Sequence, residues 1–285
     1  MKSLEAPAPA KLNLFLHVLG RREDGYHDLQ TVFQFIDFSD RLVFTTRDDG
    51  AVVREGGLAD VAPDDDLVVI AARALQGATG TTLGATIHLD KYIPSGAGLG
   101  GGSSDAATTL VALNRLWDLG WNRDRLCAFG ATIGADVPVF VRGTAAWAEG
   151  IGDRLVPIEL PEPWYLVVDP GVAVSTRDLF QAPELTRDSP RLTIPDFVSG
   201  AGRNDFEPLV RARYPEVAAA LDWLDDYADG GVGARLTGTG GCVFATFDAP
   251  EPAHDALARL PDEWRGVVAR GMNRSPLYIS GNIGA

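Results

Sequence analysis

Apolar and polar residues follow two different patterns along this chain of 285 residues. Short apolar runs, some alternating with polar residues, predict strands over 11–18, 29–38, 41–46, 85–90, 164–170 and 243–247. Longer patterns predict helices over 67–75, 106–113, 123–132, 214–227 and 252–260. No regular strand–helix–strand repeat appears, so the predicted class is α+β. The pattern also suggests a break near residue 150, between a first part (1–150) and a second (151–285).

Composition narrows the classes of function. A net charge of −14 argues against nucleic-acid or anionic-membrane binding, so an anionic ligand needs local positive groups. The first residues carry no apolar signal segment, and no window holds 18 uncharged apolar residues, which predicts a soluble, cytoplasmic protein. Cys127 and Cys242 lie in apolar sequence and are expected to be buried, reduced thiols. The histidines and cysteines show no metal-ligand spacing, so any metal ligands are unknown.

A glycine-rich run carries the clearest chemical signal. Five glycines fall within residues 96–102, between the predicted strand 85–90 and the predicted helix 106–113. Glycines allow a ligand to approach the backbone closely, and a helix N-terminus presents free N–H groups. A loop that only turns a corner is the alternative, but it needs fewer glycines. The pattern therefore favours phosphate binding.

The glycine run was compared with three known phosphate-binding motifs, and none of them fits it. A Walker A loop is excluded because no Gly-Lys-Ser/Thr follows the glycines. Residues 96–101 satisfy the dinucleotide pattern G-x-G-x-x-G, but its acidic partner should end a second strand, and Asp118 lies at a predicted helix end. The chain also lacks the His-Arg-Asp and Asp-Phe-Gly motifs of protein kinases. A phosphate loop of another kind remains.

Two charged residues interrupt apolar sequence. Only three of the 25 basic residues are lysines, and Lys11 and Lys91 lie beside candidate site residues, which suggests that their compact ammonium groups are needed. Lys11 could instead extend to solvent from the start of its strand. Asp136 precedes Val137-Pro138, where it is either a helix N-cap or a functional carboxylate.

Four segments in order resemble the GHMP small-molecule kinases; they are residues 9–16, 94–104, 133–140 and 236–242. Residues 22–31 and 143–150 resemble the branch of that family whose substrate is a cytidine diphosphate-linked methylerythritol. The resemblance covers about residues 6–280. It implies an α+β, two-domain architecture, with an ATP-binding N-terminal domain like domain 2 of ribosomal protein S5 and a ferredoxin-like C-terminal domain.

The resemblance implies transfer of the ATP γ-phosphoryl group, with Mg²⁺, to the 2-hydroxyl of that small-molecule substrate. Asp136 would take the hydroxyl proton, and Lys11 would stabilise charge near the transferred group. Tyr26 and Phe180 would stack on cytosine, and His27 would bond its edge. The other implied substrate-binding residues are Asn13, Thr176, Gly238 and Thr239. The implied ATP-binding residues are Lys91, Pro94, Ser95, Gly96, Ala97, Gly98, Leu99, Gly100, Gly101, Gly102, Ser103 and Ser104.

One position departs from the family pattern, since Asp66 stands where these kinases usually have an asparagine that contacts adenosine. The alternatives are another GHMP kinase, of the homoserine or mevalonate type, an NAD-dependent dehydrogenase, and a non-catalytic nucleotide sensor. A sensor would dispense with Lys11 and Asp136, both of which are present. The expected assembly is a monomer or a weak homodimer, with no nucleic-acid partner.

Overall fold

The computed structural model describes residues 2–58, 61–228 and 233–279. Within these ranges the strands are β1 Ser3–Arg21, β2 His27–Arg47, β3 Val52–Gly56, β4 Gly84–Asp90, β5 Ala146–Gly150, β6 Arg154–Pro157, β7 Trp164–Asp169, β8 Arg235–Leu236, β9 Val243–Phe247 and β10 Arg265–Met272. The helices are α1 Leu67–Thr79, α2 Gly101–Leu116, α3 Arg123–Gly130, α4 Val137–Arg142, α5 Thr176–Gln181, α6 Ile194–Val198, α7 Glu207–Arg213, α8 Pro215–Asp225, α9 Pro250–Leu257 and α10 Pro276–Ile279.

The strands form one sheet with the path β3-β4-β2-β10-β7-β9-β8, in which β1 and β5 also pair with β2, and β6 pairs with β5. β3 and β4 are parallel, and the other pairs are antiparallel. Helices α1, α2 and α4 cover a first core, and α7, α8 and α9 pack with β7 and β9 around a second. The predicted α+β class is confirmed. The boundary at 150/151 stays a prediction, and it lies in the turn between β5 and β6.

β1 and β2 are longer than the sequence pattern predicts. The two strands predicted over 29–38 and 41–46 are one continuous strand, and β1 extends well beyond 11–18. Polar residues near Asp40 suggested a break, but Asp40 is buried against Lys91, so the strand continues through them. Register shifts interrupt the β1–β2 ladder between Pro9 and Lys11 and between Asn13 and Leu16. Such irregularities redirect side chains, and these flank two predicted site residues.

Helix α2 begins at Gly101, five residues before the predicted start at Ala106. Glycines lower helix propensity, so the pattern alone placed the start at the first alanine. In the structure the first turn packs tightly, because a Cβ at Gly101 would lie 2.9 Å from Cγ2 of Ile93 and 2.9 Å from Nζ of Lys91. Glycine at the first helical position therefore allows the helix to approach the strand end.

The other predicted helices are present within a few residues, as α1, α3, α8 and α9. The short helices α5, α6, α7 and α10 were not predicted, and α4 begins after Asp136, where a helix start was one of the two alternatives. Cys127 and Cys242 are buried and free, as predicted. No helix in the described ranges is long and apolar enough to cross a membrane.

The two cores meet where β10 pairs with both β2 and β7. At this junction the hydroxyl of Tyr165 donates to Oε1 of Gln34 at 2.6 Å, and Nε2 of Gln34 donates to the carbonyl of Pro161 at 2.8 Å. Burial raises the pKa of Tyr165, so the hydroxyl stays a donor. The bond therefore ties β7 to β2 in addition to the β10 ladder.

We expect Tyr165→Phe to lower the free energy of unfolding by about 1–3 kcal/mol, because it leaves Oε1 of Gln34 buried without this donor. Tyr92→Phe is the matched control, since its ring is 60% exposed. Urea unfolding of both variants measures the effect, and equal stability of the two would contradict this role for the bond.

Candidate active site

A cavity of about 740 Å³ lies between the glycine run, the middle of β1, and the α5 region of the second core. Of the residues predicted for the site, only Leu99 and Ser104 are absent from its lining; both are buried in the interior. The structure therefore brings the other predicted residues around one space. Much of the rest of the lining was not predicted from the sequence; it includes Leu16, Leu29, Thr31, Phe33, Leu58, Val61, Leu67, Leu89, Asp105, Ile151 and Gly152.

The glycine run forms a cradle of backbone groups at one end of this cavity. Gly96, Gly98 and Gly100 have φ values of 67°, 78° and 73°, which favour glycine. A Cβ at Gly98 would lie 2.1 Å from the carbonyl oxygen of Thr237. Helix α2 starts directly after Gly100, and no side chain caps it. Its first-turn N–H groups are thus available to an anion.

A second glycine turn, residues 237–241, packs against the first. The hydroxyl of Thr237 donates to the carbonyl of Gly98 at 3.2 Å, and the amide of Cys242 donates to the carbonyl of Ala97 at 3.0 Å. Nδ2 of Asn204 donates to the carbonyl of Gly238 at 2.8 Å. The two turns thus fix each other, and together they bring the second core to the cavity.

Lys11 lies at the centre of the site and is 3% exposed, so it does not extend to solvent. Its ammonium donates to the carbonyl of Gly98 at 2.9 Å and to Oδ1 of Asn13. Nζ also lies 3.6 Å from Oδ2 of Asp136. Burial lowers the pKa of Lys11, and the nearby Asp136 carboxylate opposes that shift. Asn13 is itself fixed, because its Nδ2 donates to the hydroxyl of Thr31 at 2.9 Å.

Asp136 occupies the N-cap position of α4, but its side chain makes no capping hydrogen bond. The carboxylate instead faces Lys11, and its side chain is 32% exposed. Asp136 therefore lies at the start of a helix, as the N-cap hypothesis predicted. That hypothesis is wrong about its side chain, which does not bond to the helix N-terminus. A carboxylate that faces a buried ammonium and remains open to the cavity can accept a proton from a bound hydroxyl.

Lys91 has a different environment from Lys11. Its ammonium is bound by two buried carboxylates, Asp40 and Asp105, the latter at 2.8 Å. Oδ1 of Asp40 also accepts the amides of Tyr92 and Ile93, at 2.6 and 2.8 Å. Neither aspartate was predicted as a site residue from the sequence, because each lies next to other polar residues. The Lys91 charge is therefore balanced within the protein.

Asp40 and Asp105 share the single ammonium of Lys91, which favours a proton on one of the two carboxylates. Oδ1 of Asp105 and the hydroxyl of Ser104 are buried without a hydrogen-bond partner among the described residues. Burial, with a contribution from Asp40, raises the pKa of Asp105 to about 8, and Lys91 opposes that shift. The folded protein therefore holds a proton on Asp105 across a range in which the unfolded chain does not.

An aromatic pair lines the opposite end of the cavity. The rings of His27 and Phe180 are 5.0 Å apart at 31°, and Tyr26 stands 60% exposed at the rim. Phe180 also packs edge-on against Phe206 at 4.9 Å, so it belongs to the core and to the cavity at once. The hydroxyls of Thr176 and Thr239 lie 2.7 Å apart between this end and the glycine turns.

Asp66 lies in a more apolar corner beside Leu58, Val61, Leu67 and Leu89. Its Oδ1 caps α1 by accepting the amide of Val68 at 2.9 Å. Its Oδ2 accepts a hydrogen bond from the guanidinium of Arg54, a residue that sequence analysis missed. The carboxylate at this position is thus neutralised locally.

Comparisons with known proteins agree with this geometry. The model of the GHMP kinases N terminal domain matches residues 66–144, and that of the GHMP kinases C terminal domain matches residues 192–266. A 4-diphosphocytidyl-2-C-methyl-D-erythritol kinase from Pseudomonas paraeruginosa is 56% identical over 96% of this chain and 96% of its own length. The chain belongs to the GHMP kinase family.

Solved GHMP kinases share its architecture. A crystal structure of 4-(cytidine 5'-diphospho)-2C-methyl-D-erythritol kinase superposes with a TM-score of 0.81 and 33% identity, over 94% of this chain and 99% of that one. A homoserine kinase from Cytophaga hutchinsonii has a TM-score of 0.65 and 18% identity over 96% of each chain. The second likeness concerns the fold alone. The predicted GHMP fold is confirmed.

GHMP kinases use ATP, and the uncapped start of α2 with its glycine cradle fits the phosphates of a nucleotide. No group of three or more histidine, cysteine or acidic side chains in the described ranges could hold a metal ion. The Mg²⁺ ligands, which were left unknown from the sequence, stay unassigned.

We expect Asp105→Asn to change the pH dependence of stability. A raised pKa means that the folded state binds an extra proton, so this contribution is present at low pH and is lost as pH rises toward about 8. The amide does not titrate, so the variant should lose less stability than the native chain between about pH 5 and 9.

Thermal unfolding over that range, with the exposed Asp255→Asn as control, measures the difference. Parallel pH profiles of the native chain and Asp105→Asn would contradict the raised pKa.

Proposed function

We propose that this GHMP kinase transfers the γ-phosphoryl group of ATP to the 2-hydroxyl of 4-diphosphocytidyl-2-C-methyl-D-erythritol. The observation that carries the proposal is the Lys11–Asp136 pair, which lies at 3.6 Å in one cavity with both the glycine cradle and the aromatic pair. The similarity to kinases of that name over most of the chain supports it.

The nucleotide occupies the end of the cavity formed by residues 94–103. Its phosphates meet the backbone amides of the glycine cradle and the first turn of α2. Leu99 contributes through the backbone of the loop and Ser104 through that of the first turn of α2, since both side chains are buried. Mg²⁺, when bound with ATP, neutralises phosphate charge, and phosphate oxygens, water and the cavity-lining Ser103 are its candidate ligands.

Asp136 orients the acceptor hydroxyl and takes its proton, because its carboxylate is open to the cavity and makes no capping bond. Lys11 holds a positive charge beside that hydroxyl, in a position fixed by Gly98 and Asn13. Phosphoryl transfer depends mainly on positioning and on stabilising charge, and a buried, fixed ammonium provides both.

The cytosine of the acceptor stacks between Tyr26 and Phe180, and His27 forms hydrogen bonds with its edge. Asn13, Thr176 and the turn at Gly238 and Thr239 contact the part of the acceptor between the base and the reacting hydroxyl. All of these residues line the same cavity as Lys11.

Other functions fit the geometry less well. Asp118 follows the C-terminus of α2 with a φ of 56°, and it does not end a strand, so the dinucleotide pattern lacks its acidic partner. A non-catalytic sensor leaves the Lys11–Asp136 pair without a purpose. Homoserine and mevalonate are small alcohols, and they would leave the aromatic end of this cavity unfilled.

A cytoplasmic location, the two-domain boundary and the monomer or weak homodimer stay predictions.

The direct test offers the purified chain ATP with each candidate alcohol and follows ADP release. The cytidine diphosphate-linked alcohol should be turned over far faster than homoserine or mevalonate. Faster turnover of either small alcohol would replace the proposal with that activity.

We expect Asp136→Asn to lower kcat by about 100-fold or more, because the amide cannot take the hydroxyl proton. The affinity for ATP should be unchanged within about threefold, since Asp136 makes no bond to the glycine cradle. Asp124→Asn, an exposed carboxylate paired with Arg142, is the control. Native turnover by Asp136→Asn would remove Asp136 as the base.

We expect Tyr26→Ala to raise KM for the cytidine substrate by about tenfold, because the base loses one stacking partner. KM for ATP should not change. Tyr92→Ala removes an equally exposed ring that does not line the cavity, so it separates stacking from a general surface effect. Equal rises in both KM values would contradict the assignment of Tyr26.

A further inference from the structure

Arg187 lies between α5 and α6, and its guanidinium makes four hydrogen bonds. Nη2 donates to the carbonyls of Phe180 and Ala182 at 2.9 and 2.7 Å, and Nη1 donates to the carbonyl of Leu185 at 3.1 Å. Nε donates to Nε2 of His27 at 3.1 Å. The side chain thus closes the C-terminus of α5 and joins it to the start of β2.

The bond to His27 defines the state of the imidazole. A guanidinium has five donors and no acceptor, so Nε2 of His27 has to offer its lone pair. A neutral imidazole then carries its proton on Nδ1. Burial and the charges of Arg187 and Arg21 lower the pKa of His27, so the neutral form persists.

Nδ1 is left for a ligand. Nδ1 has no hydrogen-bond partner among the described residues. It is also not fully buried, since it is absent from their fully buried, unpartnered polar atoms. The imidazole lines the cavity 5.0 Å from the Phe180 ring. A base that stacks on Phe180 therefore has its edge beside an N–H donor.

We propose that Arg187 is a positioning residue that holds His27 as the Nδ1–H tautomer and thereby selects cytosine over uracil, an inference that rests on the proposed function. Cytosine has acceptors at N3 and O2, whereas uracil carries a hydrogen on N3. A fixed donor matches the N3 edge of cytosine and meets another donor in uracil. Without Arg187 the ring can move its proton to Nε2 and offer an acceptor, so it discriminates less.

The first test is the tautomer of His27, observed by long-range ¹H–¹⁵N NMR of the ligand-free protein near neutral pH. The native chain should show a protonated Nδ1 and an unprotonated Nε2. Arg187→Met keeps the length of the side chain and removes the donor, so it should show a mixture of tautomers. A native His27 that carries its proton on Nε2 overturns the proposal, whether or not any variant folds.

The second test compares kcat/KM for the cytidine substrate with that for its uridine counterpart. In Arg187→Met the preference for cytidine should fall about tenfold or more, with KM for ATP unchanged, whereas a merely structural loss lowers both substrates alike. Arg213→Met is the matched control, because Arg213 pairs with Glu184 on the same connecting segment and makes no bond to His27.

An unchanged base preference in Arg187→Met overturns the proposal. If the native chain phosphorylates neither substrate, the proposed function fails, and the NMR result still reports the tautomer of His27 independently.

Discussion

The ammonium of Lys11 is removed from water in the middle of β1, and the site is arranged around what compensates that burial. Burying a charge without partners costs several kcal/mol of folding free energy. Each group that bonds to the ammonium offsets part of this cost, so the native position of that group is stabilised. The carbonyl of Gly98 belongs to the glycine cradle, Oδ1 of Asn13 to the same strand, and Asp136 to the start of α4. One buried charge therefore joins the phosphate loop, the sheet and the candidate base.

The two buried lysines show what separates a reactive ammonium from a structural one. Lys91 meets two carboxylates of which neither is open to solvent, so its charge is balanced. Lys11 meets neutral oxygens at hydrogen-bond distance and a single carboxylate at 3.6 Å, which is partly exposed. An anion that enters the cavity can still gain from Lys11, whereas it gains little from Lys91. The scarcity of lysine in the sequence points to both residues. It does not show which of them is free to bind an anion, because their partners come from distant parts of the chain.

The sequence predicted the features whose chemistry is local. The glycine run was identified without any structure, because positive φ values and close backbone approach require glycine at those positions. Lys11 and Asp136 needed the family resemblance, since each has a plausible structural role when taken alone. Asp40, Asp105 and Arg187 were missed because their roles depend on residues about 50, 14 and 160 positions away. The end of the strand predicted near Asp40 was wrong for the same reason. The polar stretch suggested an end there, but the distant Lys91 pairs with Asp40 and β2 continues.

Arginines set the hydrogen-bonding character of two positions at opposite ends of the cavity. Arg187 occupies the acceptor of His27, which leaves a donor. Arg54 donates to Asp66, where the family resemblance implies an asparagine, and the carboxylate keeps only acceptors. In both cases a guanidinium, which has donors and no acceptor, decides what a neighbouring side chain offers to the cavity. On the proposed function, base recognition in this chain can therefore change through an arginine behind the site while the residue that faces the ligand stays the same.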